Sequence, residues 1–211
     1  MTKKARPVPA AQRSAAPLGE DRRAAIADAA IHLVATRGLR GLTHRAVDEE
    51  AGLPPGSTSY YLRTRDALLS ACVDRMLERD LARGSAGTAR PPGLDLEEFL
   101  VNMLLQLVRD RPDDLVARYE LSLEASRRPD LRNAIIEGGR RLRENLATFL
   151  AALDVPDPDQ AAWPVAALMD GLMYDRVAGA GSSLSEEAFE HAVRTSLSAM
   201  LTGLRQAKYS E

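Results

Sequence analysis

The sequence predicts an all-α protein of about nine helices, a small N-terminal three-helix domain joined to a larger C-terminal helical bundle. Three observations predict it. Nearly every segment carries apolar residues at i, i+3, i+4 and i+7, and no run shows the strict alternation of a strand. Hydrophobic residues make up 45% of the 211 but aromatics only 4%, so the core must be Leu, Ala, Val and Ile, residues that pack well between helices. A Gly/Pro/Ser-rich stretch, Gly84 to Gly93, separates short helices from long ones. The chain therefore divides into a flexible basic tail (1–19), a three-helix unit (20–70), a connecting helix with its linker (71–93) and the larger bundle (94–211).

The elements follow in order. The first helix runs from about Asp21 to Arg37, with Ile26, Ala30, Leu33 and Val34 as its apolar stripe and Gly38 as its stop. Thr43 is placed to cap a second short helix reaching Ala51, and Gly52 ends it. Pro54 and Pro55 open a third, Pro55 to Leu62. Thr64 caps a fourth, Arg65 to about Arg83. Beyond the linker, Leu96 to Val108 keeps helical period closely, and Pro112 opens a helix ending near Arg127. Pro129 or Asp130 starts another that reaches Leu153. Asp157-Pro158-Asp159-Gln160 reads as a capping box with proline in the first turn, leading to Gly179. Ser185 caps the last helix, whose stripe is Phe189, Val193, Leu197, Met200, Leu201 and Leu204.

Charge is informative once divided. The whole chain carries 28 basic and 30 acidic residues, a net of −2. Residues 1–70 hold 11 Lys or Arg against 7 Asp or Glu, a net of +4, leaving −6 for residues 71–211. A basic head on an acidic body suggests division of labour. The single cysteine, Cys72, excludes an internal disulfide framework and a multi-cysteine zinc site, and His32, His44 and His191 make no metal-ligand spacing. No stretch reaches the roughly 18 apolar residues of a membrane span. The first residues carry Lys3, Lys4, Arg6 and Arg13 with no apolar run behind them, unlike a secretory signal, so the expected compartment is the cytoplasm. No cofactor is expected.

The most informative stretch is Gly41 to Leu69, two short helices joined by a glycine-containing turn. Leu42-Thr43, Ala51-Gly52-Leu53, Gly56-Ser57, Tyr60-Tyr61 and Arg63-Thr64-Arg65-Asp66 occupy, without a gap, the places of a known pattern, and Ala29-Ala30, Leu33 and Gly38 match its first helix. Over residues 22–70 the chain resembles the N-terminal helix-turn-helix domain of the TetR family of bacterial transcriptional regulators. The departures are Ser59 where the family usually has tyrosine, Tyr61-Leu62 for the usual His-Phe, and Pro55 where a long polar side chain often reads bases.

That resemblance implies a homodimeric repressor that binds double-stranded operator DNA and is released by a small-molecule effector; an activator of the same fold is the alternative, and an all-helical ligand-binding protein or enzyme ranks below both. It places Thr43, His44, Arg45, Pro55, Gly56, Ser57, Thr58, Ser59, Tyr60, Tyr61, Thr64 and Arg65 at the DNA. Arg45 is the candidate for guanine readout. Pro55 and Thr58 suit thymine methyls, Gly56 and Ser57 let the backbone come close, and Thr43, Thr64, Tyr60, Tyr61 and Arg65 suit phosphates. Lys3, Lys4 and Arg6 can reach a minor groove or simply add charge. Plain alternatives stand beside these roles. Thr43 and Thr64 can be helix caps only, Arg45 and His44 solvated side chains, and one of the two tyrosines must face inward.

The body holds no nucleophile motif, phosphate loop or paired ligands, so enzymatic chemistry is not expected there. The resemblance assigns it dimerisation, through helices 158–179 and 185–207 with Ala166, Ala167, Gly171, Ala192 and Ala199 permitting close approach. It also assigns it an effector pocket, lined by Phe99, Met103, Tyr119, Trp163, Met169, Met173 and Tyr174. Asn102, Glu120, Asn145 and Asp170 are its candidate polar anchors. Such a lining suits an apolar or aromatic ligand, although residues at this spacing also make ordinary core. A symmetric dimer would set its recognition helices about 34–36 Å apart, matching a pseudo-palindromic site.

Overall fold

The computed structural model describes residues 19–88 and 95–207. Among them are nine α-helices, one 3-10 turn and no strand. The helices are α1 (Gly19–Gly41), α2 (His44–Glu50), α3 (Ser57–Tyr61), α4 (Arg65–Thr88), α5 (Leu96–Asp110), α6 (Pro112–Ala125), α7 (Pro129–Ala151), α8 (Pro158–Ala178) and α9 (Glu186–Gln206), with the 3-10 turn at Ala180–Ser183. The expected basic tail, with Lys3, Lys4 and Arg6, lies outside the described residues.

Several ends differ from expectation for local reasons. Gly38 interrupts α1 where its stop was expected, in the left-handed region at φ 64° and ψ 177°, and a short turn to Gly41 follows. A left-handed φ without a Cβ clash is what only glycine supplies cheaply. The third helix is shorter than expected, because Pro54 and Pro55 form the turn rather than its first residues. The connecting helix continues to Thr88, past the expected linker start at Gly84. An interior glycine costs about 1 kcal/mol, too little to end a long helix already packed. Asp157 makes no capping bond; it sits at φ 47°, and the proline after it opens α8. Thr43 and Ser185 do cap, accepting from the Ala46 and Ala188 N–H groups.

Two apolar cores result. The first joins Ile26, Leu33 and Val34 of α1, Leu42, Val47 of α2, Leu62, and Leu68, Leu69, Cys72 and Met76 of α4. The second joins α5, α7, α8 and α9 through Leu100, Leu104, Leu150, Val165, Val193, Leu197 and Leu201. The two cores do not part at the linker. Ala117, Leu121 and Ala125 of α6, spaced four apart on one face, complete the first core, while Leu115 of the same helix enters the second. Helix α6 is thus a wall common to head and body, and α1 lies along it.

Burial pushes the Cys72 thiol up to about 12, with the Asp28 carboxylate adding to the effect. The native protein should therefore resist thiol reagents at pH 8 and react fully once unfolded in guanidinium; labelling kinetics checks this. Leu121→Ala should cost about 2–5 kcal/mol by chemical denaturation, although Leu121 lies fifty residues beyond the head in sequence, because it fills the head's core.

Candidate nucleic-acid interface and effector region

Helix α3 has five residues, far too few to be stable alone. Its placement comes from Asp48 on α2. This carboxylate is 4% exposed and accepts three hydrogen bonds across the turn. They come from the Gly56 N–H at 2.7 Å, the Thr58 N–H at 2.7 Å and the Thr58 hydroxyl at 2.6 Å. Gly56, at φ 91°, allows the chain to present its N–H there. Burial works against the ionised form, but the bonds from Thr58 and Gly56, with the nearby His44, outweigh it and hold the carboxyl below its ordinary value. Neighbouring polar groups complete the frame. The Arg65 guanidinium donates to the Leu42 and Leu39 carbonyls at the end of α1. His44 Nε2 lies 2.7 Å from the Leu62 carbonyl, and the Ser57 hydroxyl donates to Pro54.

These bonds sort the expected contact residues. Thr58 is fully buried, so the thymine-methyl role expected of it is replaced by a tie to Asp48. Arg65 is half-buried and its guanidinium serves backbone carbonyls, which corrects its assignment as a free phosphate ligand. Thr43 and Thr64 cap α2 and α4 while remaining exposed at the surface. Tyr61 is the inward tyrosine, packed on the first core, and Tyr60 stands 76% exposed with its ring edge-on to Tyr61 at 5.1 Å. Pro55, Gly56 and Ser59 are exposed. The Arg45 side chain is 87% exposed, touching only Glu49 on its own helix.

A groove of about 590 Å³ borders this surface, lined by Gly19, Glu20, Arg23, Tyr60, Tyr61 and Arg63. The Arg23 guanidinium lies over the Tyr61 ring at 6.0 Å. Arg23 and Arg63 were not among the expected site residues. The basic balance of the head was their trace in sequence, yet only folding brings the start of α1 beside the end of α3. Asp48 was missed too, since in the run Asp48-Glu49-Glu50 nothing in the periodicity marks the first as buried. A free-standing tyrosine, three outward arginines and an uncovered helix-turn-helix are suited to phosphates and a major groove.

In the body, the expected effector residues fall into different settings. Tyr119 and Tyr174 meet edge to face at 5.1 Å, and the Tyr119 hydroxyl donates to the Asp170 carbonyl at 3.1 Å. Burial raises the Asp170 carboxyl and the nearby Asp80 adds to this, while Arg118 opposes it. Met169 and Met173 are buried in the second core, with Met103 packed against it, and Phe99 stacks at a tilt on Phe149, 5.5 Å away. Trp163 is 66% exposed, because α8 turns it outward from the second core. Asn102, Glu120 and Asn145 also stand at the surface, Asn102 donating to Glu98.

Residues 91–203 match the family model for the tetracyclin repressor-like C-terminal domain. The chain belongs to the TetR family. Like the HTH-type transcriptional regulator BetI of Rhizobium meliloti, to which it is 29% identical over 79% of this chain and 83% of that one, this TetR-family protein is a DNA-binding transcriptional regulator. A transcriptional regulator from Rhodococcus sp. Rha1 has a similar structure, with a TM-score of 0.73 at 23% identity, covering 88% of this chain and 99% of the other. The multidrug binding protein EbrR, solved with ethidium, gives a TM-score of 0.62 at 30% identity over 85% of this chain and 98% of that one. The all-α fold of a helix-turn-helix head on a helical bundle agrees with these neighbours. Among the described residues no helix is long and apolar enough to cross a membrane.

Asp48 should make the head sensitive to acid. Its folded-state carboxyl titrates below the unfolded one, so its contribution is complete above the ordinary range near pH ~4 and is lost as pH falls through the folded value. Asp48→Asn should cost about 1.5–3 kcal/mol at neutral pH, with the gap to wild type narrowing in acid; urea titrations at several pH values measure it.

Proposed function

We propose that this regulator is a homodimeric repressor that binds a pseudo-palindromic operator through α2 and α3 and is released by a small apolar or aromatic effector. The observation that carries the DNA reading is the surface around Tyr60. A large side chain left 76% exposed, on a groove that it shares with Arg23 and Arg63, is suited to meeting phosphates, and the exposed Arg45 stands on the preceding helix. In this reading Arg45, Pro55 and Ser59 face base edges. Thr43, Thr64, Tyr60, Arg23 and Arg63 position the backbone, and His44, Ser57, Thr58 and Arg65 hold the frame. Ten of the twelve expected residues thus divide between contact and frame, while Gly56 donates to Asp48 and Tyr61 packs on the first core.

The dimer reading rests on α8 and α9. Trp163, Ala167, Gly171 and Tyr174 form one exposed stripe of α8, and Thr195, Ala199 and Gly203 one of α9. Small residues between two aromatics suit a close helix crossing with a second copy, and a symmetric dimer reproduces the two-fold symmetry of an operator. The effector reading rests on Tyr119, Tyr174 and Asp170, brought together between α6 and α8, with Met169, Met173, Met103 and Phe99 on the adjoining core. That EbrR was solved with ethidium, an aromatic molecule, supports a ligand of this class. Ligand binding there would act on the DNA through α6, which carries part of the head's core, as a coupling free energy.

A gel shift with the promoter DNA beside its own gene should show binding that weakens linearly in log–log against salt; absence of a shift at low salt would sink the reading. Arg45→Ala should cost about 1–3 kcal/mol and relax preference at one base position, whereas Tyr60→Phe should lower affinity for all sequences alike by about 0.5–1.5 kcal/mol. Binding isotherms on a set of single-base operator variants separate the two outcomes.

A further inference from the structure

A guanidinium presents donors along its side, from Nε, and at its end, from the Nη1–Nη2 pair. The arginines of this chain commit those edges differently. Arg75 uses Nε and both Nη groups on Asp28 and Glu78. Arg65 uses its two Nη groups on backbone carbonyls. Arg45 is divided. Its Nε donates to Glu49 Oε1 at 2.9 Å, one turn further along α2, and its Nη groups make no hydrogen bond among the described residues. Both side chains of this pair are exposed.

Glu50, the next residue, is placed otherwise. It is half-buried, 3.9 Å from Arg37 Nη2 and 3.8 Å from His32 Nε2, both on α1. The two neighbouring carboxylates therefore act in different directions, Glu50 toward α1 and Glu49 toward Arg45.

The geometry points to Glu49 as the residue that positions Arg45 for base readout. This inference rests on the reading that α2 meets the operator with Arg45 toward base edges. A long, exposed arginine can reach phosphates as well as bases, and a phosphate contact carries no sequence information. A carboxylate on Nε occupies the side edge and leaves the end-on pair, which can meet O6 and N7 of one guanine together. The same carboxylate repels phosphate oxygens that approach Arg45 along the helix. It also weakens attraction to any duplex, because that attraction comes from cations set against phosphates. Glu49 thus lowers affinity for DNA in general and raises discrimination at one base pair. An exposed pair at i, i+4 contributes little to the fold. Its effect lies in sequence preference, where orienting a flexible side chain in advance lowers the cost of a bidentate contact.

Binding isotherms of the full chain on the operator, on its single-base variants and on an unrelated duplex of equal length test the role. Arg45→Ala first identifies the base pair whose preference depends on Arg45. At that position Glu49→Ala should cut discrimination by at least about threefold. It should also tighten binding to the unrelated duplex by about two- to fivefold at low salt. Glu49→Gln keeps an oxygen for Nε and loses the charge, so it should bind the unrelated duplex more tightly yet keep most of the discrimination. Glu50→Ala removes a charge next door and should leave discrimination as in wild type. Unchanged discrimination in Glu49→Ala overturns the proposal. So does an equal loss in Glu49→Gln or Glu50→Ala, which would make the effect one of charge alone. If Arg45→Ala alters preference at no single position, the base-reading role of Arg45 fails and the positioning role falls with it. If Arg45→Ala does alter one and Glu49→Ala does not, only the positioning role fails.

Discussion

The head depends on one buried carboxylate. A five-residue helix cannot hold its own shape, and α3 has few apolar side chains with which to dock. Asp48 supplies the missing constraint by gathering three donors from the turn and the first residues of α3. A hydrophobic contact would fix how close α3 lies to α2 but would leave its rotation loose. Three directional bonds to one carboxylate fix rotation as well, and so decide which residues face out. Tyr60 and Ser59 are outward because Thr58 is held inward. The same geometry suits Thr58, whose buried hydroxyl reaches Asp48 at 2.6 Å.

Around this tie, the polar residues of the head divide between frame and surface. Arg65, His44 and Ser57 use their donors on carbonyls at the ends of helices, where backbone groups lack partners. Among the described residues Tyr60, Arg23 and Arg63 make no hydrogen bond, and Arg45 bonds only the exposed Glu49 on its own helix. Charge alone does not distinguish the classes; both contain arginine. The distinction is whether a backbone carbonyl lies within reach, and that is a property of how α1, α2 and α4 meet.

Much of this was legible in sequence, and what was not has a common cause. Helix positions followed from apolar spacing, because one stripe per helix is enough to reveal a 3.6-residue period. Thr43, Thr64 and Ser185 were legible as caps since capping is local. The inward turn of one tyrosine followed from adjacency. The misreadings concern residues whose partners are distant in the chain or absent from it. Arg65 finds Leu39 and Leu42 more than twenty residues away, and Thr58 finds Asp48 ten away. Trp163 looked like a pocket residue on composition, but α8 has apolar side chains on most of its circumference, so its pattern did not say which face turns inward. The end of α4 was misplaced because glycine content marks flexibility only where packing is weak.

The exposed aromatics gain meaning from the helices that carry them. An isolated apolar side chain on a surface needs no explanation. Tyr60 is not isolated: it sits on the shortest helix, whose rotation is fixed by a buried carboxylate, on a groove shared with Arg23 and Arg63. Trp163 and Tyr174 share one stripe of a long helix with small residues between them. The first setting suits a polyanion, which those arginines attract and the tyrosine hydroxyl can meet. The second suits another helix, which small residues admit closely and aromatics grip at either end. The chain thus exposes aromatic surface twice, once beside arginines and once among small residues. Helix α6 lies between the two, giving Leu121 to the core beneath the first and Tyr119 to the ring of the second. A displacement at Tyr174 therefore has a short, packed route to the residues under α3, through one rigid helix instead of a flexible chain.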